Sequence, residues 1–134
     1  MCFGSQMTRI YLITAFLLTS FYCHSQACND SLVLLSFECT SGKLTIKVPC
    51  DYVKADHFDY TEGTVWTISY ADSSSIFILC GFQANLSNPG KKKPGLFYKK
   101  VKVKEYEFTY DNVPEDRLST FDKAFNLLEK EIGN

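Results

Sequence analysis

The chain has 134 residues and a formal charge of −1, with 14 basic against 15 acidic side chains, a balance that selects no partner by bulk charge. Its 46% hydrophobic share, with 11 Phe and 8 Tyr, excludes an intrinsically disordered chain. The length holds one core and leaves no room for a second domain.

Residues 10–23 (IYLITAFLLTSFYC) follow Arg9 as an apolar run without a charge. The run is shorter than the ~20 residues a membrane span needs and fits the apolar region of a signal peptide. Small residues then stand at the spacing a signal peptidase reads, so cleavage is expected after Ser25 or Ala27. Residues 1–27 are the signal, and Met7 opens an equally complete one. Residues 28–134 are a single exported domain, secreted or periplasmic, with no transmembrane helix in the mature chain.

Export changes what the cysteines mean. Cys2 and Cys23 leave with the signal, and Cys28, Cys39, Cys50 and Cys80 remain, an even number in an oxidising compartment. Four cysteines allow three pairings. A lipid anchor on Cys28 or Cys23 is the competing reading, and it ranks lower because neither has a leucine three residues upstream.

Residues 32–39 (LVLLSFEC) and 44–50 (LTIKVPC) read as a hairpin. With Ser41-Gly42 as a two-residue turn, Cys39 faces Leu44, Phe37 faces Ile46, Leu35 faces Val48 and Val33 faces Cys50. All four pairs are apolar, while Ser36, Glu38, Thr45 and Lys47 fall on the other face. Cys39 and Cys50 then sit at opposite ends and cannot bond to each other. Of the pairings that remain, Cys28 with Cys50 and Cys39 with Cys80 is favoured, the alternative being buried free thiols. Pro49 marks an edge strand or its end.

Residues 51–63 (DYVKADHFDYTEG) carry Asp56, His57 and Asp59, the one acidic cluster with a histidine, and so the candidate metal or acid/base site. The spacing matches neither a zinc motif nor a calcium loop. A solvated loop ending in a Glu62-Gly63 turn is expected, with no metal and no cofactor.

Residues 64–82 are the centre of the pattern. Trp66, Ile68 and Tyr70 share one strand face, and Val65, Thr67 and Ser69 the other. Asp and Ser supply a turn over residues 71–75. Residues 76–80 (IFILC) are apolar on both faces, as a central strand covered on two sides requires.

Residues 83–95 (QANLSNPGKKKPG) are punctuated by Pro and Gly and read as a loop. Lys91, Lys92, Lys93, Lys99, Lys100, Lys102 and Lys104 are half of the chain's 14 basic residues, interleaved with Phe97 and Tyr98. They form the candidate binding face for a protein or other anionic partner. The alternative is an edge strand whose lysines deter edge-to-edge pairing. No nucleic-acid module is present, and an export signal argues against one.

Residues 96–110 are strand-like, with the apolar phase changing at Lys104-Glu105, which places a bulge or turn there. Pro114 suits a first helical turn, Glu115 and Asp116 suit its positive end, and Gly133 a stop. Leu118, Phe121, Phe125, Leu128 and Ile132, widened by Ala124, make one helical stripe.

The expected fold is α+β: a small antiparallel sheet of about five or six strands, built of two hairpins and a C-terminal strand region, under one C-terminal amphipathic helix. No stretch reaches the specificity of a P-loop or a nucleophile elbow. The expected function is a non-enzymatic binding module, such as an inhibitor or immunity-type protein. The alternative is a small hydrolase using His57 or paired carboxylates.

Overall fold

The computed structural model describes Cys28 and residues 30–81 and 93–134. The expected signal segment, Cys23, Lys91 and Lys92 lie outside the described residues. The elements are β1 (Leu32–Cys39), β2 (Gly42–Pro49), β3 (Tyr52–Asp59), β4 (Thr64–Tyr70), β5 (Ser75–Cys80), β6 (Leu96–Val103), β7 (Tyr106–Pro114) and α1 (Glu115–Ile132).

The fold is α+β, as the pattern predicts, but the single sheet of five or six strands is corrected. Among the described residues seven strands make two antiparallel sheets, β1-β2 alone and β3-β4-β5-β7-β6. The extra strand is β3, in place of the expected solvated loop. Seven of its eight residues are exposed, so no apolar alternation marks it, and pairing with β4 alone holds it in place. The expected turn follows it, with the Tyr60 N–H donating to the Gly63 carbonyl at 2.7 Å.

The first hairpin keeps its predicted faces and loses its predicted register. Phe37 faces Leu44, Leu35 faces Ile46 and Val33 faces Val48, and Thr40-Ser41 is the turn. The slip is two residues, which leaves every side chain on its face and keeps Phe37, Leu44, Ile46 and Val48 buried. On the polar face this register sets Glu38 opposite Lys43, and Ser36 bonds Thr45 at 3.0 Å.

The β4–β5 hairpin and the central place of β5 are as expected, with Ile68, Ile76 and Ile78 fully buried. The phase change at Lys104-Glu105 is the β6–β7 turn, where Val103 pairs with Tyr106 and Lys104 takes φ 54°.

Strand β7 runs straight into α1. Pro114 is therefore corrected from the first helical turn to the N-cap, at φ −70° and ψ 156°. The stripe buries Phe121, Ala124, Phe125 and Leu128, with Thr120 beside them. Phe121 meets the Tyr70 ring edge-on at 5.2 Å, and Phe125 meets Tyr110 at 4.9 Å. Hairpin β1-β2 covers the other end of the same sheet face. There Phe37 packs edge-on to Trp66 at 5.2 Å, and the Trp66 indole N–H donates to the Glu38 carbonyl at 2.9 Å.

Two disulfides staple this arrangement, Cys28–Cys50 and Cys39–Cys80. The first ties Cys28 to the residue that follows β2. The second ties the tip of the first hairpin to the end of β5. Gly81 follows at φ 85°, where a Cβ would meet the Thr40 hydroxyl at 3.0 Å and the Glu62 carbonyl at 3.3 Å, so three turns meet at one point that only glycine fits. No helix of the described residues is long and apolar enough to cross a membrane.

Candidate functional site

The histidine cluster lies on β3, an edge strand, rather than in a cleft. His57 stands opposite Trp66 in the β3–β4 register, and their rings stack at 4.5 Å. Its Nε2 is 3.7 Å from the Asp59 carboxylate, whose other oxygen accepts a bond from the Thr64 hydroxyl at 2.8 Å. Asp56 accepts from the His57 backbone N–H at 3.0 Å and pairs with Lys54 at 2.8 Å. Those partners, the Lys54 ammonium first, hold the Asp56 carboxyl below the usual carboxylate range. His57 and Asp59 are thus brought together on one face of β3, while Asp56 projects from the other and bonds His57 only at its backbone N–H; all three lie on an open surface with structural partners. Among the described residues no group of three or more His, Cys, Asp or Glu is placed to hold a metal.

The basic strand is divided by its own pleat. Strand β6 is the other edge of the five-stranded sheet, with a bulge between Phe97 and Lys99. Lys99 turns toward the helix and reaches Asp122 at 3.5 Å, where Asp122 also accepts from the Tyr110 hydroxyl at 2.9 Å. Lys100 turns to the opposite face and pairs with the buried Glu107 at 2.9 Å. Lys93, Lys102 and Lys104 are exposed, Tyr98 is half-buried and Phe97 is 37% exposed. The lysines do not share one face, and two of them are neutralised locally.

A cluster absent from the sequence reading is built on Arg117. Its guanidinium donates to Asp51 at 2.6 Å and Asp72 at 2.8 Å, and lies over the rings of Tyr70 and Phe121 at 5.0 and 5.1 Å. Burial opposes its charge, and the bond to Asp72 with the fields of both carboxylates outweighs this and raises its pKa. Beside it a polar cavity of about 390 Å³ opens between Asp30, Ser31, Asp51, Asp116, Arg117 and Thr120. The Thr120 hydroxyl donates to Asp30 there at 3.2 Å. Arg117 sits one position before the helical stripe and carries no motif, so only the tertiary contacts reveal it.

The two edges of the large sheet differ in character. Each edge carries a bulge, at Val53 in β3 and between Phe97 and Lys99 in β6; edge β6 is lined by lysines, while edge β3 exposes Val53 (68%) and Phe58 (62%), with Phe58 packed on Tyr60 at 4.7 Å. Compared with known protein families, with curated proteins and with solved structures, the chain matches none of them.

Proposed function

We propose that the chain is a small exported interaction protein that engages another polypeptide along β3. The observation that carries this is the exposed apolar edge: Val53 and Phe58 stand clear of the core on a strand with one neighbour only, while the opposite edge is protected. Export is supported by the apolar run at residues 10–23 and by two disulfides, which persist in oxidising compartments. The lysines of β6 fit edge protection and solubility better than a docking face, because Lys99 and Lys100 are held in ion pairs on opposite sides of the strand. His57, stacked on Trp66, helps to fix β3 to β4.

The test is a photo-crosslinking residue placed at Phe58 or at Phe97 in the exported protein, with adducts identified by mass spectrometry. Adducts from position 58 are expected. Adducts from position 97 alone, or from neither, would overturn the proposal, and a hydrolytic activity abolished by His57→Ala would replace it with catalysis.

A further inference from the structure

We infer that the polypeptide received by β3 is a second copy of this chain, paired antiparallel about a two-fold axis at Ala55. This rests on the reading of β3 as the interaction edge and names its occupant.

The backbone fixes which groups are offered. In an antiparallel ladder a residue gives both its N–H and its C=O to one neighbour or to the other side, alternating along the strand. The His57 N–H goes to the Asp56 side chain rather than to β4, and Tyr60 exchanges both its bonds with Gly63. Even-numbered residues therefore face β4, and Ala55 and His57 face outward. Ala55 is the smallest side chain of the strand, so two copies can approach there, each Ala55 donating to and accepting from the other.

The charge pattern then selects the register. With Ala55 opposite Ala55, Lys54 of each copy faces Asp56 of the other, in the non-hydrogen-bonded positions where side chains lie closest. Val53 lies in the bulge between Tyr52 and Lys54, so the regular pairing runs from Lys54 to Asp56 and Val53 flanks it. Moving the axis by one residue sets Asp56 against Asp56 or Lys54 against Lys54, and both oppose like charges directly. The two present Lys54–Asp56 pairs, one within each copy and 2.8 Å apart, exchange for two between the copies, so the pattern sets the register while the number of ion pairs stays the same. A two-fold contact of this kind closes on itself, consuming the edge instead of propagating.

Sedimentation velocity on the oxidised exported protein, from micromolar to millimolar concentration, tests this. The wild type should dimerise. Lys54→Asp and Asp56→Lys should each stay folded, with the wild-type melting temperature at concentrations where the wild type is monomeric, and weaken dimerisation at least tenfold, because each opposes like charges across the axis. An equimolar mixture of the two variants should dimerise again, since every charge then faces its opposite. A monomeric wild type, single variants that dimerise normally, or a mixture that stays monomeric would each overturn the pairing. A monomeric wild type that still crosslinks another protein from position 58 would overturn self-pairing and leave the interaction reading standing. No adduct from that position would remove both.

Discussion

Asp72 accepts a hydrogen bond from Arg117 at 2.8 Å across 45 residues of sequence, joining the β4–β5 turn to the start of α1. The same carboxylate accepts from the Ser74 hydroxyl and backbone N–H, so one side chain closes the turn and receives the helix.

Stability should depend on pH through Asp72. Burial pushes its carboxyl up, but the bonds from Ser74 and Arg117 outweigh this and hold the pKa below the usual value. A carboxyl depressed in the folded state adds stability above its unfolded pKa and loses it as pH falls through the folded one. Asp72→Asn should therefore cost about 1–3 kcal/mol at neutral pH. The gap to wild type should begin to narrow near the unfolded value of about 4 and close only as pH falls through the lower folded one. Urea unfolding at neutral and at acid pH measures it, and an unchanged gap would show that Asp72 and Arg117 are uncoupled.

The helix should be indispensable. Phe125 is fully buried against Tyr110, and Phe125→Ala should cost about 3–5 kcal/mol, a large part of the stability of a small domain. A melting temperature within a degree or two of wild type would contradict the packing of α1 on the sheet.

The disulfides should be closed in the native protein. No thiol should react with an alkylating reagent before reduction, and peptide mapping should return the Cys28–Cys50 and Cys39–Cys80 pairs. Their sequence separations are 22 and 41, so in the chain-entropy picture opening the longer loop costs about 0.5 kcal/mol more. Cys39→Ser/Cys80→Ser should melt below Cys28→Ser/Cys50→Ser.

Thr109 should gain from losing its hydroxyl. It is 2% exposed, and its Oγ1 has no hydrogen-bond partner, although the side chain packs well enough to be buried. Thr109→Val keeps the shape and removes the unsatisfied oxygen, so it should raise stability by about 1 kcal/mol. A destabilised variant would mean that the hydroxyl is bonded in solution.

What the sequence made legible follows from how each element is held. The helix stripe and the β4 face were readable because each buries one side, and burial writes a period into the chain, while β5 was readable as a short run apolar on both faces. Strand β3 was unreadable for the opposite reason: Val53 to Asp59 are exposed on both faces, and nothing but the ladder to β4 keeps them extended. The hairpin faces could be read but not its register, since a two-residue slip changes no face and the choice falls to turn geometry and to pairs such as Glu38 with Lys43. The Asp56–His57–Asp59 cluster was visible as composition and its exposure was expected, whereas its place on a strand was not. The Arg117 cluster draws Asp51, Asp72 and Arg117 from three distant segments, and no local pattern announces it.

The two bridges interlace, Cys39 lying inside the span of the first and Cys50 inside the span of the second, and under the export proposed above this would set an order of events as the chain is delivered. Cys28, Cys39 and Cys50 arrive in the oxidising compartment while Cys80 is still to come, so three thiols compete and one of them has no correct mate. The hairpin is the proofreader. Once β1 zips onto β2, Cys39 and Cys50 are carried to opposite ends, Cys50 is left within reach of Cys28, and Cys39 is stranded at the tip until β5 delivers Cys80. A chain that oxidised before zipping could join Cys39 to Cys28 or Cys50, pairs that the native register keeps apart.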